Sequence, residues 1–362
     1  MIFDIFATLP ATVNAATPEP ETVSDLFILL AMIFGAVAVI VIAFFIIRKV
    51  LISANRLPAA FQRVVLMVTV PKEHLELDQK SEKPQGGIKE LMAVAEYLYS
   101  NFGGIVRQQR FYSRLLFGRQ DHIAVEIVAV QGVITFYFAV PRKYQQFVEQ
   151  LIHAQYPDAE IEEVEDYNIF SPQGVIRCNY LKLTKPNMFP IRTYLKMETD
   201  PMFAVTNVLS KIQAPEGAAI QILIRPAAKN WQSSAQEYCR RIIKGRGKAG
   251  GVGGAMGGVM QSAFSSKVDA QKSFDRERMY RMSPMEEEKV KAVGEKANKL
   301  GFETNIRVIV SAQDDSRAQL FMENIINTFS QYSLPEAGNR FRRVKVLRKS
   351  RFIKDSIYRY FR

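Results

Sequence analysis

The sequence predicts an α+β protein: one N-terminal transmembrane helix, then two ferredoxin-like (βαββαβ) domains, the second with a long helical insertion. Three observations lead there. The stretch Leu26–Ile47, LFILLAMIFGAVAVIVIAFFII, contains no charge, Asn, Gln or Pro. Between residues 60 and 167, short runs rich in Val, Ile and Phe alternate with segments of helical period in the order β-α-β-β-α-β. The same order recurs over residues 173–348, broken by an insertion at 227–301.

The anchor follows from length and flanks. A helix needs roughly 20 apolar residues to cross the hydrocarbon core. The transmembrane segment is placed at 26–48, with a short extracytoplasmic tail at 1–25. Arg48 and Lys49 follow the apolar run at once, whereas Asp4, Glu19, Glu21 and Asp25 precede it without any Lys or Arg. The positive-inside rule then puts the N-terminus outside and the soluble domains in the cytoplasm, at an inner membrane. The run starts late, lacks a basic leader and exceeds the apolar region of a cleaved signal peptide.

Each soluble element has a local reason. Phe61–Pro71 reads as a Val-rich strand ending at proline. Ile88, Leu91, Met92, Ala95 and Leu98 recur with a helical period. His122–Val130 and Val133–Val140 read as strands joined by a tight turn at Gln131-Gly132. Tyr144, Phe147, Val148, Leu151 and Ile152 mark the next helix, and Ala159–Val164 a short strand. In the second domain Val175–Leu183 is a strand, and Thr199 or Asp200 caps a helix that opens on Pro201. Ala219–Arg225, Glu303–Ser311 and Arg342–Leu347 are the remaining strands, and Asp314 or Asp315 caps a helix reaching Ser330. Helical ends at Trp231–Ile243 and Met285–Leu300 make the insertion an antiparallel arm with a Gly-rich tip.

Chemistry-bearing motifs are few. In the Gly-rich run Lys244–Ser266, Gly247-Lys248 is followed by Ala249 and lies between helices, so it fails the phosphate-loop pattern. A flexible joint fits it better, with a small-residue helix that packs on a partner or touches membrane as the alternative. Cys178 and Cys239 lie far apart outside any CxxC spacing, which suits a reducing compartment without structural zinc. His74, His122 and His153 share no metal-ligand spacing, and His153 reads as a packing residue. Glu160, Glu162, Glu163, Glu165 and Asp166 read as a solvated strand edge. No catalytic, cofactor or metal site is expected.

The net charge of +12 is concentrated at one end. Residues 340–362 carry ten Lys or Arg against Asp355 alone, leaving the remainder close to balanced. Arg340, Arg342, Arg343, Lys345, Arg348, Lys349, Arg351, Lys354 and Arg359 are the candidate docking cations, the last four of helix or tail character in a basic C-terminal tail at 349–362. Phe341, Phe352, Tyr358, Tyr360 and Phe361 lie among them, a mixture suited to nucleic acid, an anionic membrane surface or a protein partner. A last strand with a solvated helix is the plainer reading. The loop Arg107–Arg119 has the same character.

Four stretches carry a resemblance: FVEQLIHAQYPDAEIEEVEDY (147–167), LKLTKPNMFPIRTYLKMETDPMFAVTNVLSKI (181–212), IQILIRPAAKNW (220–231) and GFETNIRVIVSA (301–312). Together they resemble the N-terminal membrane-anchored region of bacterial type IV secretion and conjugative DNA-transfer ATPases of the TraG/TraD and HerA-like kind. In that family the module precedes a motor domain with Walker motifs. No Walker A sequence occurs before Arg362, so the family's ATPase residues transfer to no position here. The resemblance implies a non-catalytic, membrane-anchored subunit that docks a separate motor ATPase, with the basic tail meeting that motor or DNA. Ferredoxin-like sheets often leave one face free, which by analogy points to a homo-oligomer. A membrane-tethered nucleic-acid-binding protein, using the basic aromatic tail, is the alternative.

Overall fold

The structure, a computed structural model, describes residues 20–70, 86–105, 119, 122–197, 199–244 and 282–361. The chain divides after Asn55 into two compact units. The first consists of helix α1 (Pro20–Phe61) up to that boundary. Its apolar side chains are exposed, Phe34 at 78% and Ile40 at 66%. The helix runs past the expected end at residue 48, because no glycine or proline stands between Arg48 and Pro58. Phe27–Phe61 is long and apolar enough to cross a membrane.

The second unit, Arg56–Arg362, is built on one antiparallel sheet of eight strands. The strands are β1 (Arg63–Thr69), β2 (Ile123–Val130), β3 (Val133–Pro141), β4 (Glu160–Val164), β5 (Val175–Leu183), β6 (Gly217–Pro226), β7 (Phe302–Ala312) and β8 (Phe341–Lys345). Their order is β4-β1-β3-β2-β6-β7-β5-β8. The strands expected to divide between two domains are therefore continuous. β2 and β6 pair along Ile123↔Ile224 to Val130↔Gly217, which covers two edges that would otherwise present unpaired backbone groups. Gln131 (φ 55°) and Gly132 (φ 80°) both take the left-handed conformation that a type I′ hairpin demands, as the Gln-Gly signal predicts.

Helices α2 (Gly86–Ile105), α3 (Gln145–Gln155), α4 (Pro201–Leu209) and α7 (Asp315–Thr328) cover one face of the sheet. α2 and α3 bury Leu98, Phe102, Val148 and Ile152 against Val64, Leu66 and Val140. α4 and α7 bury Val205, Leu209, Phe321 and Ile325 against Ile220, Ile306 and Val308. The caps follow their chemistry: Asp200 accepts from the Met202 amide at 2.8 Å, and Asp314 from that of Arg317 at 2.8 Å. His153 is exposed, contrary to its expected packing role, because α3 buries Val148 and Ile152 and position 153 is turned off that stripe.

The insertion is helical at both described ends, but its second helix stops at Ala297, short of the expected Leu300. Helices α5 (Asn230–Ile243) and α6 (Pro284–Ala297) pack through Ala235, Val293 and Ala297. Gln232 Nε2 donates to the Ala297 carbonyl at 3.0 Å, and Cys239 Sγ to that of Val290 at 3.7 Å, so the pair is antiparallel. Ser283 and Glu286 form a capping box that starts α6. Of the Gly-rich run only Lys244 falls within the described residues; His74 and the basic loop other than Arg119 fall outside them.

The opposite face of the sheet is covered by the connection 165–174 and by helix α8 (Lys349–Ile357). The segment expected as a C-terminal tail is thus an integral layer of the body. Phe352 is 1% exposed and meets the Tyr180 ring edge-on at 4.6 Å. Its burial, as the fully buried aromatic of a largely polar helix, is what fixes α8 to the sheet.

Candidate functional site

Beneath α8 the sheet carries a polar row. Strand register sets Tyr137 opposite Glu126, Glu126 opposite Gln221, Gln221 opposite Arg307 and Arg307 opposite Tyr180. Directly opposed residues share a face, so these side chains line up across β3, β2, β6, β7 and β5. Glu126, Gln221 and Arg307 are fully buried. Buried polar groups are normally hydrogen-bonded or paired, and here all are except Arg307 Nε, which has no hydrogen-bond partner among the described residues. Gln221 Nε2 donates to Glu126 Oε1 at 2.7 Å, and Arg307 Nη1 donates to Gln221 Oε1 at 2.7 Å.

The C-terminal segment completes the row from above. Arg307 Nη1 also donates to the Asp355 carbonyl at 2.8 Å, and its Nη2 to that of Tyr360. Arg359 forks onto Glu126 (Nε to Oε1 2.8 Å, Nη2 to Oε2 2.9 Å) and onto Asp166 (Nη1 to Oδ2 2.9 Å, Nη2 to Oδ1 2.7 Å). Such bidentate pairs are the stronger charge-assisted kind. Burial pulls the Arg359 guanidinium down, but the Glu126 and Asp166 carboxylates outweigh it and hold it above its ordinary range. Burial, with Glu126 next, pushes the Tyr167 phenol well up.

Arg359 sits at φ 52°, in the left-handed region. The amide of Tyr360 bonds the Asp355 carbonyl at 2.8 Å, and that of Arg359 the Ser356 carbonyl at 3.1 Å. This is the paired closure of a Schellman motif, in which the left-handed position usually belongs to glycine. An arginine stands there because its side chain neutralises two carboxylates that glycine would leave unpaired.

His122 lies at the rim of this network. Arg63 Nη2, which can only donate, stands 3.2 Å from His122 Nδ1, so Nδ1 accepts and Nε2 donates to the Arg359 carbonyl. Burial first, then the Arg63 charge, holds the imidazole well below its ordinary range, so it is neutral in the folded protein. The unfolded chain takes up this proton as pH falls through about 6.5, whereas the folded chain resists it. The contribution to stability is therefore complete above that pH and declines below it, by at most about 1.4 kcal/mol per pH unit. Thermal unfolding of the full chain in detergent from pH 7.5 to 5 should show a steeper loss for the native protein than for His122→Gln. Equal slopes would exclude the role.

The expected docking cations divide sharply. Arg340, Arg342, Arg343, Lys345, Arg348, Lys349, Arg351 and Lys354 are exposed, in or beside β8 and on the outer side of α8. Arg359, expected with them, is instead buried within the network, so it faces no partner. The aromatic residues among them are engaged in packing. Phe341 contacts Phe329 and Tyr332, Phe361 lies under the Arg225 guanidinium at 3.9 Å, and Tyr358 stacks on Tyr360. Of the anchor residues, Ile47, Arg48 and Lys49 all lie in α1, as does Leu26. Glu160, Glu162 and Glu163 are exposed on edge strand β4, as expected, while Asp166 joins the network.

Sequence reasoning missed Glu126, Gln221 and Arg307. The signal was present: Glu126 and Gln221 are single polar residues in the apolar runs AVEIVAV and AIQILI, and Arg307 is the charge within IRVIV. Among the described residues no group of three or more His, Cys, Asp or Glu could hold a metal ion. An apolar groove of about 730 Å³ opens between β1, β3, α2 and α3, and its described lining, including Met67, Leu98, Phe136 and Ile152, bears no charge.

Residues 85–359 match the family described as Domain of unknown function (DUF8128). No curated protein matches the chain.

Proposed function

The chain belongs to this DUF8128 family, and we propose that it is a non-catalytic, membrane-anchored assembly subunit of a type IV secretion or conjugative-transfer-like apparatus. In this reading α1 spans the inner membrane with its N-terminus outside, and the body holds a separate motor ATPase of the HerA/TraG type at the cytoplasmic face. The observation that carries it is the helix Phe27–Phe61, whose apolar window has no buried share. The body fills its core without that helix, so the apolar surface requires another apolar medium. The two halves of the sheet each have the strand order fourth-first-third-second, and we read them as two ferredoxin-like units joined edge to edge. The resemblance of residues 147–312 to anchored transfer ATPases supplies the apparatus.

The test is affinity capture of the full chain from detergent-solubilised membranes. Recovery of a Walker-motif ATPase, lost on reversing Arg348 and Arg351 to Glu, is the expected outcome. Recovery without any such ATPase would overturn the docking role. A nucleic-acid-binding role is the second reading, favoured by the eight exposed cations near β8 and α8. It expects salt-sensitive DNA binding by the full chain that the same two reversals abolish; Arg359 has no place in that test, because its loss would unfold the site.

A further inference from the structure

The two ends of the sheet differ in charge. At one end, β4 reads EIEEV and exposes Glu160, Glu162 and Glu163. At the other, β8 reads FRRVK and exposes Arg342, Arg343 and Lys345. Each is five residues long. Among the described residues each is paired on one side only, β4 to β1 and β8 to β5. An edge strand offers a row of backbone donors and acceptors, and charge is the usual device that keeps it from pairing indiscriminately. Here the two edges carry opposite signs.

From this we infer that the partner of each edge is a second copy of this chain, with β8 of one copy adding to β4 of the next. Three features of the fold converge on that arrangement. Every neighbouring pair in the eight-stranded sheet is antiparallel, so the first and last strands run in opposite directions. Placing β8 beside the β4 of another copy therefore continues the antiparallel ladder without a break. The faces also match. Val344 lies opposite Tyr180, which packs under α8, and Arg342 shares that face. Val164 lies opposite Val65, on the same side of the sheet, and Glu160 and Glu162 share that face. Setting Arg342 across from Glu162 keeps the helix-covered face continuous and puts opposite charges in direct cross-strand contact. Finally, Leu347, just beyond β8, is 93% exposed, an apolar residue at the junction.

Charge also rejects the symmetric alternatives. A β4–β4 joint would set glutamates against glutamates, and a β8–β8 joint would set cations against cations. Only the head-to-tail joint is complementary. It is heterologous, so it builds a ring or a filament according to the twist between copies. Two local ion pairs, Arg142–Glu163 at 2.7 Å and Arg343–Glu323 at 3.9 Å, already engage part of each edge, which leaves Glu160, Glu162, Arg342 and Lys345 as the discriminating residues. The inference concerns self-association and stands whether or not a motor ATPase is captured.

The experiment measures the mass of the full chain in detergent by analytical ultracentrifugation, at low and high salt. The native chain should associate at low salt and dissociate at high salt. Glu160→Lys with Glu162→Lys should be monomeric, as should Arg342→Glu with Lys345→Glu, both with unchanged thermal unfolding because the positions are exposed. Mixing the two variants should restore assemblies of native size, since each acidic edge then finds a basic one. A native chain that stays monomeric would overturn the inference. So would variants that keep the native mass, as association through α1 would give, or a mixture that remains monomeric.

Discussion

Replacing Arg359 with alanine should lower the stability of the folded body by about 3–5 kcal/mol, the cost of leaving a buried charge without its partner. Glu126 is fully buried and its two oxygens both take hydrogen bonds from this one guanidinium. Gln221 supplies a further donor to Oε1, which solvates the carboxylate but leaves its charge. Two companions separate the causes. Arg359→Gly should be less damaging than Arg359→Ala by about 1 kcal/mol, because glycine accepts the left-handed backbone without strain. Glu126→Gln combined with Arg359→Met should recover part of the loss, since neither member of this pair then carries a buried charge. Denaturant unfolding of the full chain in detergent measures all three. A loss below about 1 kcal/mol for Arg359→Ala would show that water reaches Glu126.

Phe352→Ala should cost a similar amount, about 3–5 kcal/mol, as is usual for emptying a buried aromatic site. Its distribution differs. Phe352 is the main apolar contact of α8 with Val128, Ala219 and Ile309, so its loss should release the helix before the sheet unfolds. Amide hydrogen exchange should quicken across residues 349–357 while protection in β6 and β7 falls less. Uniform loss across the body would mean that α8 and the sheet unfold as one unit.

The legible part of this fold was local. Period-two runs, the Gln-Gly turn and the capping positions at 199–200 and 314–315 each declare themselves within a few residues, and the structure assigns the caps to Asp200 and Asp314. The joining of β2 to β6 was not legible, because a strand's own residues do not state which distant strand pairs with it. The polar row was hidden for a related reason. Glu126, Gln221 and Arg307 look like isolated exceptions until the register sets them side by side. Arg359 was misplaced because it sits among cations that do face solvent, and composition cannot tell one arginine from its neighbours. What distinguishes it is the turn after α8, which aims its side chain inward.

The Arg359–Glu126 pair has a further consequence, for the order in which this protein is made. The two residues are separated by 233 positions, and Arg359 also reaches Asp166 across 193. During synthesis, β2 emerges with its carboxylate long before the counter-charge exists. A contact so remote in sequence forms late, after the entropy of closing the intervening loop has been overcome. The nascent sheet must therefore keep that face open to water until residue 359 arrives, and a ribosome that stalls short of it holds a body that is paired but not sealed.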